Sequence, residues 1–167
     1  MTSPFVAILM GSDSDLPVMQ ATIAILKQFN ITHEVRVRSA HRTPEAAKAY
    51  VKDAEERGCK VFICAAGLAA HLAGAVAGMT TRPVIGVPVD CGPLQGHDAL
   101  LSTVMMPGGI PVATVAIGKA GAKNAGYLAA QILGVADQTM ADKVKAERVA
   151  NAEALLAKDD AMQAKLG

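Results

Sequence analysis

Three short segments of this 167-residue chain carry the side chains able to move protons or hold anions. Ser39-Ala40-His41-Arg42-Thr43 holds two of them. His41 is of the type that gains and loses a proton near neutrality, and Arg42 offers a planar fork for phosphate. Ser39 adds a hydroxyl. A carboxylate partner for Arg42 and an ordinary loop histidine are the rival reading. Gly11-Ser12-Asp13-Ser14-Asp15 is the second segment. At a helix N-terminus its amides, with the hydroxyls of Ser12 and Ser14, attract an anion, and Asp15 can accept from ribose hydroxyls. The same residues are common helix caps, so capping alone is the rival there. The third segment sets His71 among Ala66, Gly67, Ala70, Leu72 and Gly74. Residues with little or no side chain let backbone approach a planar ligand, and turn amides can hold a carboxylate or CO2. Tight helix packing around a half-buried histidine is its rival.

Other candidates carry less. His33 sits in an alternating strand and reads as surface; His97 and Asp98 have no defined role. No base is fixed beside Cys91, which argues against a nucleophile. Asp90 and Asp98 are too far apart in sequence to assert a metal pair, and Lys119 reads as structural or interfacial. Cys59, Cys64 and Cys91 are an odd number without CxxC spacing. They predict neither a disulfide framework nor a zinc site, and point to a reducing cytoplasm. Met-Thr-Ser-Pro-Phe at the start lacks the basic and apolar regions of a signal peptide.

The elements that must position these segments alternate along the chain. FVAILM over residues 5–10 is a continuous apolar run, the habit of a strand buried on both faces in a parallel sheet. Further strands are predicted over 32–37 (near an edge), 60–65, 84–89 and 111–117. Helices are predicted over 16–29, 43–57, 70–79, 98–105 and 120–133, with a last one over about 137–165. Pro17 and Pro44 suit first turns, and Gly58 a helix end. Five strand–helix alternations give a single three-layer α/β/α domain with an open parallel sheet. Ligands then sit at the carboxyl ends of the strands, at a switch point. The loops to inspect are 10–15, 38–43, 65–74, 88–97 and 106–109, and every oddity of the sequence falls on one of them.

Composition narrows the function classes. Hydrophobic residues make up 51% and charged ones 19%, where about a quarter charged is usual, which excludes a disordered chain. Aromatics are 3% and Trp is absent, so bases would find few stacking platforms. A net charge of +1 gives no field to gather nucleic acid, although a local phosphate site needs only one arginine and a few amides. The most apolar stretch, residues 61–79, is interrupted by Gly67, His71, Gly74 and Gly78 and does not read as a membrane span. The alanine- and glycine-rich excess reads as surface buried between subunits of a homo-oligomer.

Six segments taken together resemble one family. They are Met10-Gly-Ser-Asp-Ser-Asp15, Ser39-Ala-His-Arg-Thr-Pro44, Ala69-Ala-His-Leu72, Val84-Ile-Gly-Val-Pro-Val89, Met106-Pro-Gly-Gly-Ile-Pro-Val112 and Ile117-Gly-Lys-Ala-Gly-Ala122. Over residues 5–135 the chain resembles the catalytic subunit family of phosphoribosylaminoimidazole carboxylase, of de novo purine synthesis. One branch of that family is a mutase that interconverts N5-carboxyaminoimidazole ribonucleotide and 4-carboxyaminoimidazole ribonucleotide. The other carboxylates aminoimidazole ribonucleotide directly with CO2. The mutase branch carries a histidine in its third loop that the direct carboxylases lack, and His71 favours the mutase. The chain departs from the usual pattern at Leu68 (Gly), at Ala73 (Pro) and at Asp90-Cys91-Gly92 (Gln-Ser-Ala).

The resemblance implies a flavodoxin-like fold, one catalytic domain over 1–167 with a core at 5–135, and no metal or cofactor. It implies His41 as the proton shuttle and His71 as a second site histidine. It places the nucleotide on Gly11, Ser12, Ser14, Asp15, Ser39 and Arg42, and the carboxyl group against Ala66, Gly67, Ala70 and Leu72. It further implies a homo-octamer whose C-terminal helix packs on a neighbouring subunit, and a separate ATP-dependent synthetase supplying the substrate. Direct carboxylation, or a non-catalytic nucleotide-binding module on the same fold, are the alternatives. A signalling receiver would need an acidic cluster spread over the strand ends, whereas Asp13 and Asp15 share one serine-rich loop.

Overall fold

The computed structural model describes residues 4–167. Met1, Thr2 and Ser3, most of the segment compared above with a signal peptide, lie outside the described residues. The elements are β1 (Phe5–Met10), α1 (Leu16–Gln28), β2 (His33–Val37), α2 (Pro44–Glu56), β3 (Cys59–Ala66), α3 (Leu72–Ala77), β4 (Val84–Pro88), α4 (His97–Val104), β5 (Ala113–Thr114), α5 (Gly118–Gly134) and α6 (Gln138–Leu166). Among the described residues no helix is long and apolar enough to cross a membrane.

The sheet runs β2-β1-β3-β4-β5 with every neighbouring pair parallel. This is the flavodoxin-like order. The chain leaves β1 toward one edge and β3 toward the other, so a crevice opens between the carboxyl ends of β1 and β3. All six residues of β1 are buried, because successive side chains enter different cores. Val6, Ile8 and Met10 meet α1 and α5 on one face, while Phe5, Ala7 and Leu9 meet α2 and α3 on the other. Strand β2 is an edge, as its alternation suggests.

Small residues set the spacing of the first layer. Gly118, Gly121, Ala122, Ala125 and Ala129 form the buried stripe of α5. A Cβ at Gly126 would lie 2.8 Å from the Ile25 Cβ, closer than side-chain carbons pack. The close approach lets the Thr22 hydroxyl donate to the Ala122 carbonyl at 2.6 Å. Part of the alanine and glycine content therefore serves the α1–α5 contact within one chain.

Two further expectations need correction. The fifth strand covers Ala113–Thr114 rather than 111–117. Pro111 has no N–H for a ladder, and pairing with β4 is limited to Ile85–Ala113 and Gly86–Thr114 before the Val115 amide closes on the Gly86 carbonyl. The last helix is also not all tail. Met140 and Val144, 9% and 8% exposed, belong to the α1–α5 core, and Tyr127 donates to Glu147 at 3.1 Å. From Val149 onward every residue is exposed, including Leu155, Leu156, Met162 and Leu166.

The two parts of α6 should therefore separate on truncation. A chain ending after Asn151 keeps every core contact of its own subunit and serves as the reference for the thermal midpoint by circular dichroism. One ending after Ala136 loses two buried side chains, each worth about 1.5–3 kcal/mol. Its midpoint should fall by about 5 °C or more, at about 2–4 °C per kcal/mol for a domain of this size.

Candidate active site

A cavity of about 470 Å³ occupies the crevice at the carboxyl ends of β1 and β3. Its wall draws Gly11, Ser12, Ser14 and Asp15 from the β1–α1 loop and Ser39, Ala40, His41 and Arg42 from the β2–α2 loop. The β3–α3 loop supplies Ala66, Gly67, Leu68, Ala69, His71 and Leu72, and the β4–α4 loop supplies Cys91. The loop at 106–109, also expected here, takes no part in this wall; the Met106 sulfur instead stands over Gly74.

The β1–α1 loop is both a cap and a wall. Asp13–Asp15 makes one 3-10 turn with Ser12 as N-cap. The Ser12 amide donates to Asp15 Oδ2 at 3.0 Å, the Ser14 amide to Ser12 Oγ at 3.3 Å, and the Ser14 hydroxyl to Ser12 Oγ at 2.9 Å. This reciprocal capping box satisfies donors that would otherwise be orphaned. Asp15 is only 5% exposed. Burial pushes its carboxyl above the usual carboxylate range, against the amides of Ser12 and Gly11 and the charge of Arg42, which pull it down. A carboxyl kept in a cleft at such a cost marks a candidate functional group.

The β2–α2 loop is wound on Ser39. The Arg42 amide donates to Ser39 Oγ at 3.1 Å, and the Ser39 amide to Thr43 Oγ1 at 3.0 Å. With the loop so fixed, Arg42 Nη2 reaches across to the Gly11 carbonyl at 2.9 Å. A guanidinium has five N–H donors, so this contact orients the fork and leaves donors for an anion. The carboxylate partner considered from sequence is not what holds it.

His41 and His71 meet at the cavity wall. Nε2 of His41 lies 2.8 Å from Nδ1 of His71, with the rings 4.9 Å apart and nearly perpendicular. One of these nitrogens carries the shared hydrogen and the other accepts it. Two imidazolium rings would both be donors there, so the bond stands only while one ring is neutral. The pair can hold a single mobile proton between the two loops.

Eleven of the twelve residues that the sequence pointed to line the cavity, and Ala70 does not. It is 2% exposed, and its carbonyl accepts from Thr103 Oγ1 at 3.5 Å. The turn into α3 directs Ala70 inward while it presents His71, the helix N-cap, outward. Asp90 packs against Gly118 at the start of α5 and not against the cavity. His33 and His97 lie outside the cavity, their Nδ1 atoms donating to the carbonyls of Ile31 and Leu94. The wall residues outside those twelve are Ala40, Leu68, Ala69 and Cys91, the last weighed from sequence only as a nucleophile. Its place on the loop after β4 is the one signal that could have marked Cys91 as a wall residue. Its sulfur lies 2.0 Å from where a Cβ at Gly67 would stand.

That contact predicts a paired effect. Gly67→Ala should cost about 1–3 kcal/mol in a denaturant titration, as overpacking does. Cys91→Ala should recover much of this loss, because the thiol is removed and the Cys91 Cβ stays 3.6 Å away.

Comparison with known proteins agrees with this geometry. The AIR carboxylase family model matches residues 5–154. An N5-carboxyaminoimidazole ribonucleotide mutase of Thermotoga maritima is 58% identical over 142 residues, 85% of this chain and 82% of that protein. One of Bacillus subtilis is 52% identical over 157 residues, 94% of this chain and 97% of that protein. The crystal structure of Treponema denticola PurE superposes with a TM-score of 0.85 at 34% identity, covering 95% of this chain and 98% of that one. With residues 5–154 matched by the family model and most of its length shared with these relatives, the chain belongs to the AIR carboxylase family.

Proposed function

We propose that this protein is an N5-carboxyaminoimidazole ribonucleotide mutase of purine biosynthesis. It interconverts the N5-carboxy and 4-carboxy forms of aminoimidazole ribonucleotide, an intramolecular carboxyl transfer. The observation that carries this reading is the hydrogen-bonded His41–His71 pair on the wall of the strand-end cavity. Relatives 52% and 58% identical bear the mutase name.

The roles follow from chemistry and position. Arg42, with the hydroxyls of Ser14 and Ser39, holds the 5′-phosphate beside the β1–α1 loop, and Asp15 accepts from the ribose. The carbamate N–C bond breaks, CO2 is released into the cavity, and the exocyclic amine takes a proton. Carbon 4 of the aminoimidazole is enamine-like and attacks the trapped CO2, so no cofactor is required. His41 removes the carbon-4 proton and restores the aromatic ring, and His71 orients or relays through their hydrogen bond. The backbone from Ala66 to Leu72 keeps CO2 against the ring and away from water.

The functional unit is one catalytic domain working in a cytoplasmic homo-octamer, fed by a separate ATP-dependent synthetase. The exposed Leu155, Leu156, Met162 and Leu166 of α6 supply the apolar surface that a neighbouring subunit would cover. Removing residues after Asn151 should lower the oligomer mass by light scattering; an unchanged mass refutes this role for the helix.

The reaction itself is tested by following 4-carboxyaminoimidazole ribonucleotide by ultraviolet absorbance. Rapid product from the carbamate in bicarbonate-depleted buffer is the expected result. Product that appears only from aminoimidazole ribonucleotide with added bicarbonate makes the enzyme a direct carboxylase, and no product from either leaves a binding module. His41→Asn should lower turnover by about 10²–10⁴-fold while nucleotide still binds. Near-normal turnover in that variant would remove His41 from the shuttle.

A further inference from the structure

We propose that Leu68 is a positioning residue. It latches the β3–α3 loop onto the β4–α4 loop, and so holds the Ala66–Ala69 backbone and His71 in place around the transferred carboxyl group. The inference rests on the mutase reading above for its catalytic consequence, and on the packing alone for the latch.

Leu68 has φ +55°, a left-handed conformation that a large side chain seldom adopts. Burial does not account for it, since Leu68 stays 52% exposed. What it meets is Gly92, itself at φ +73°, where an added Cβ would lie 2.6 Å from Leu68 Cδ2. Gly92 is thus the slot that receives the leucine. The next residue back on each loop repeats the arrangement in reverse, with the Cys91 sulfur over Gly67. Two neighbouring side chains from opposite loops rest on two neighbouring glycines.

The position of this interlock matters. The β3–β4 ladder ends with the Val89 amide donating to the Ala66 carbonyl at 3.0 Å. Past that bond the loop tips meet through Leu68 on Gly92 and Cys91 on Gly67. Leu68 is followed by one tight turn, closed by the His71 amide on the Ala69 carbonyl at 2.9 Å, and the next ring along is the one hydrogen-bonded to His41. A shift of Leu68 is therefore carried within three residues to His71 and to the cavity wall.

Four variants decide this: Leu68→Gly, Leu68→Met, Gly92→Ala, and Leu68→Gly combined with Gly92→Ala. Each is melted, and each is assayed for how the carbamate partitions between 4-carboxy product and free aminoimidazole ribonucleotide. Leu68→Gly should keep or raise the midpoint, since it relieves a left-handed leucine, yet release severalfold more decarboxylated nucleotide per turnover. Leu68→Met should restore wild-type partition. Gly92→Ala should lower the midpoint by several degrees more in the presence of Leu68 than in the Leu68→Gly background. Wild-type partition in Leu68→Gly, or a Met variant as leaky as the Gly variant, overturns the positioning role. Additive midpoints overturn the latch whatever the chemistry. A wild-type protein that leaves the carbamate untouched refutes the mutase reading instead, and the melting cycle still reads the latch.

Discussion

The backbone of Gly11 is the joint on which the site depends. Its N–H continues the β1–β3 pairing one residue past the strand, donating to the Ala65 carbonyl at 3.0 Å, and its own carbonyl receives Arg42. Two loops and the end of β3, distant in sequence, are thereby referred to one residue at the switch point. Open space is not the reason for glycine here, since a Cβ would find only ordinary contacts at 3.5 Å and beyond. What counts is that both backbone polar groups of the residue are engaged where the sheet ends. Everything placed on those loops, from the capping box to the histidine pair, inherits its position from that junction.

The electrostatics are local rather than global. With a net charge of +1 the molecule has little field to steer a polyanion, so recognition must come from groups within hydrogen-bond reach. Asp15 and Arg42 supply opposite charges on one wall, and the buried carboxyl is held by the Ser12 amide within the capping box of the 3-10 turn before α1. The capping reading of the Ser/Asp loop is realised, and the capping residues also line the cavity.

The small-residue content does different work in different places. Between α1 and α5 it brings two helices close enough for a side-chain hydroxyl to bond the facing backbone. In the β3–α3 and β4–α4 loops it makes slots, at Gly67 and Gly92, for side chains of the opposing loop. On α6 the division is sharp, with Met140 and Val144 in the core and the apolar residues beyond Val149 facing outward. That outer face is left uncovered by the rest of the chain.

Read alone, the sequence determined the strand–helix alternation, because a continuous apolar run as short as FVAILM reads as a strand covered on both faces rather than a buried helix. It also pointed to one crevice, since in an open parallel sheet the strand-end loops are the expected place for a ligand, and eleven of the twelve residues singled out there do line one cavity. Local pattern could not go further, because the remaining facts depend on contacts between segments far apart in the chain. That His41 and His71 share a hydrogen bond across thirty positions, that Arg42 answers to a carbonyl rather than a carboxylate, and that Cys91 joins the wall all follow from how β1, β3 and β4 line up. Ala70 fails for the same reason, since one step along the turn into α3 reverses which side chain faces the cavity. The fifth strand and the inner part of α6 were misjudged because pairing and burial there are set by neighbours, not by the residues themselves. Composition and periodicity report what a segment prefers, while partner and register are settled by the packed sheet.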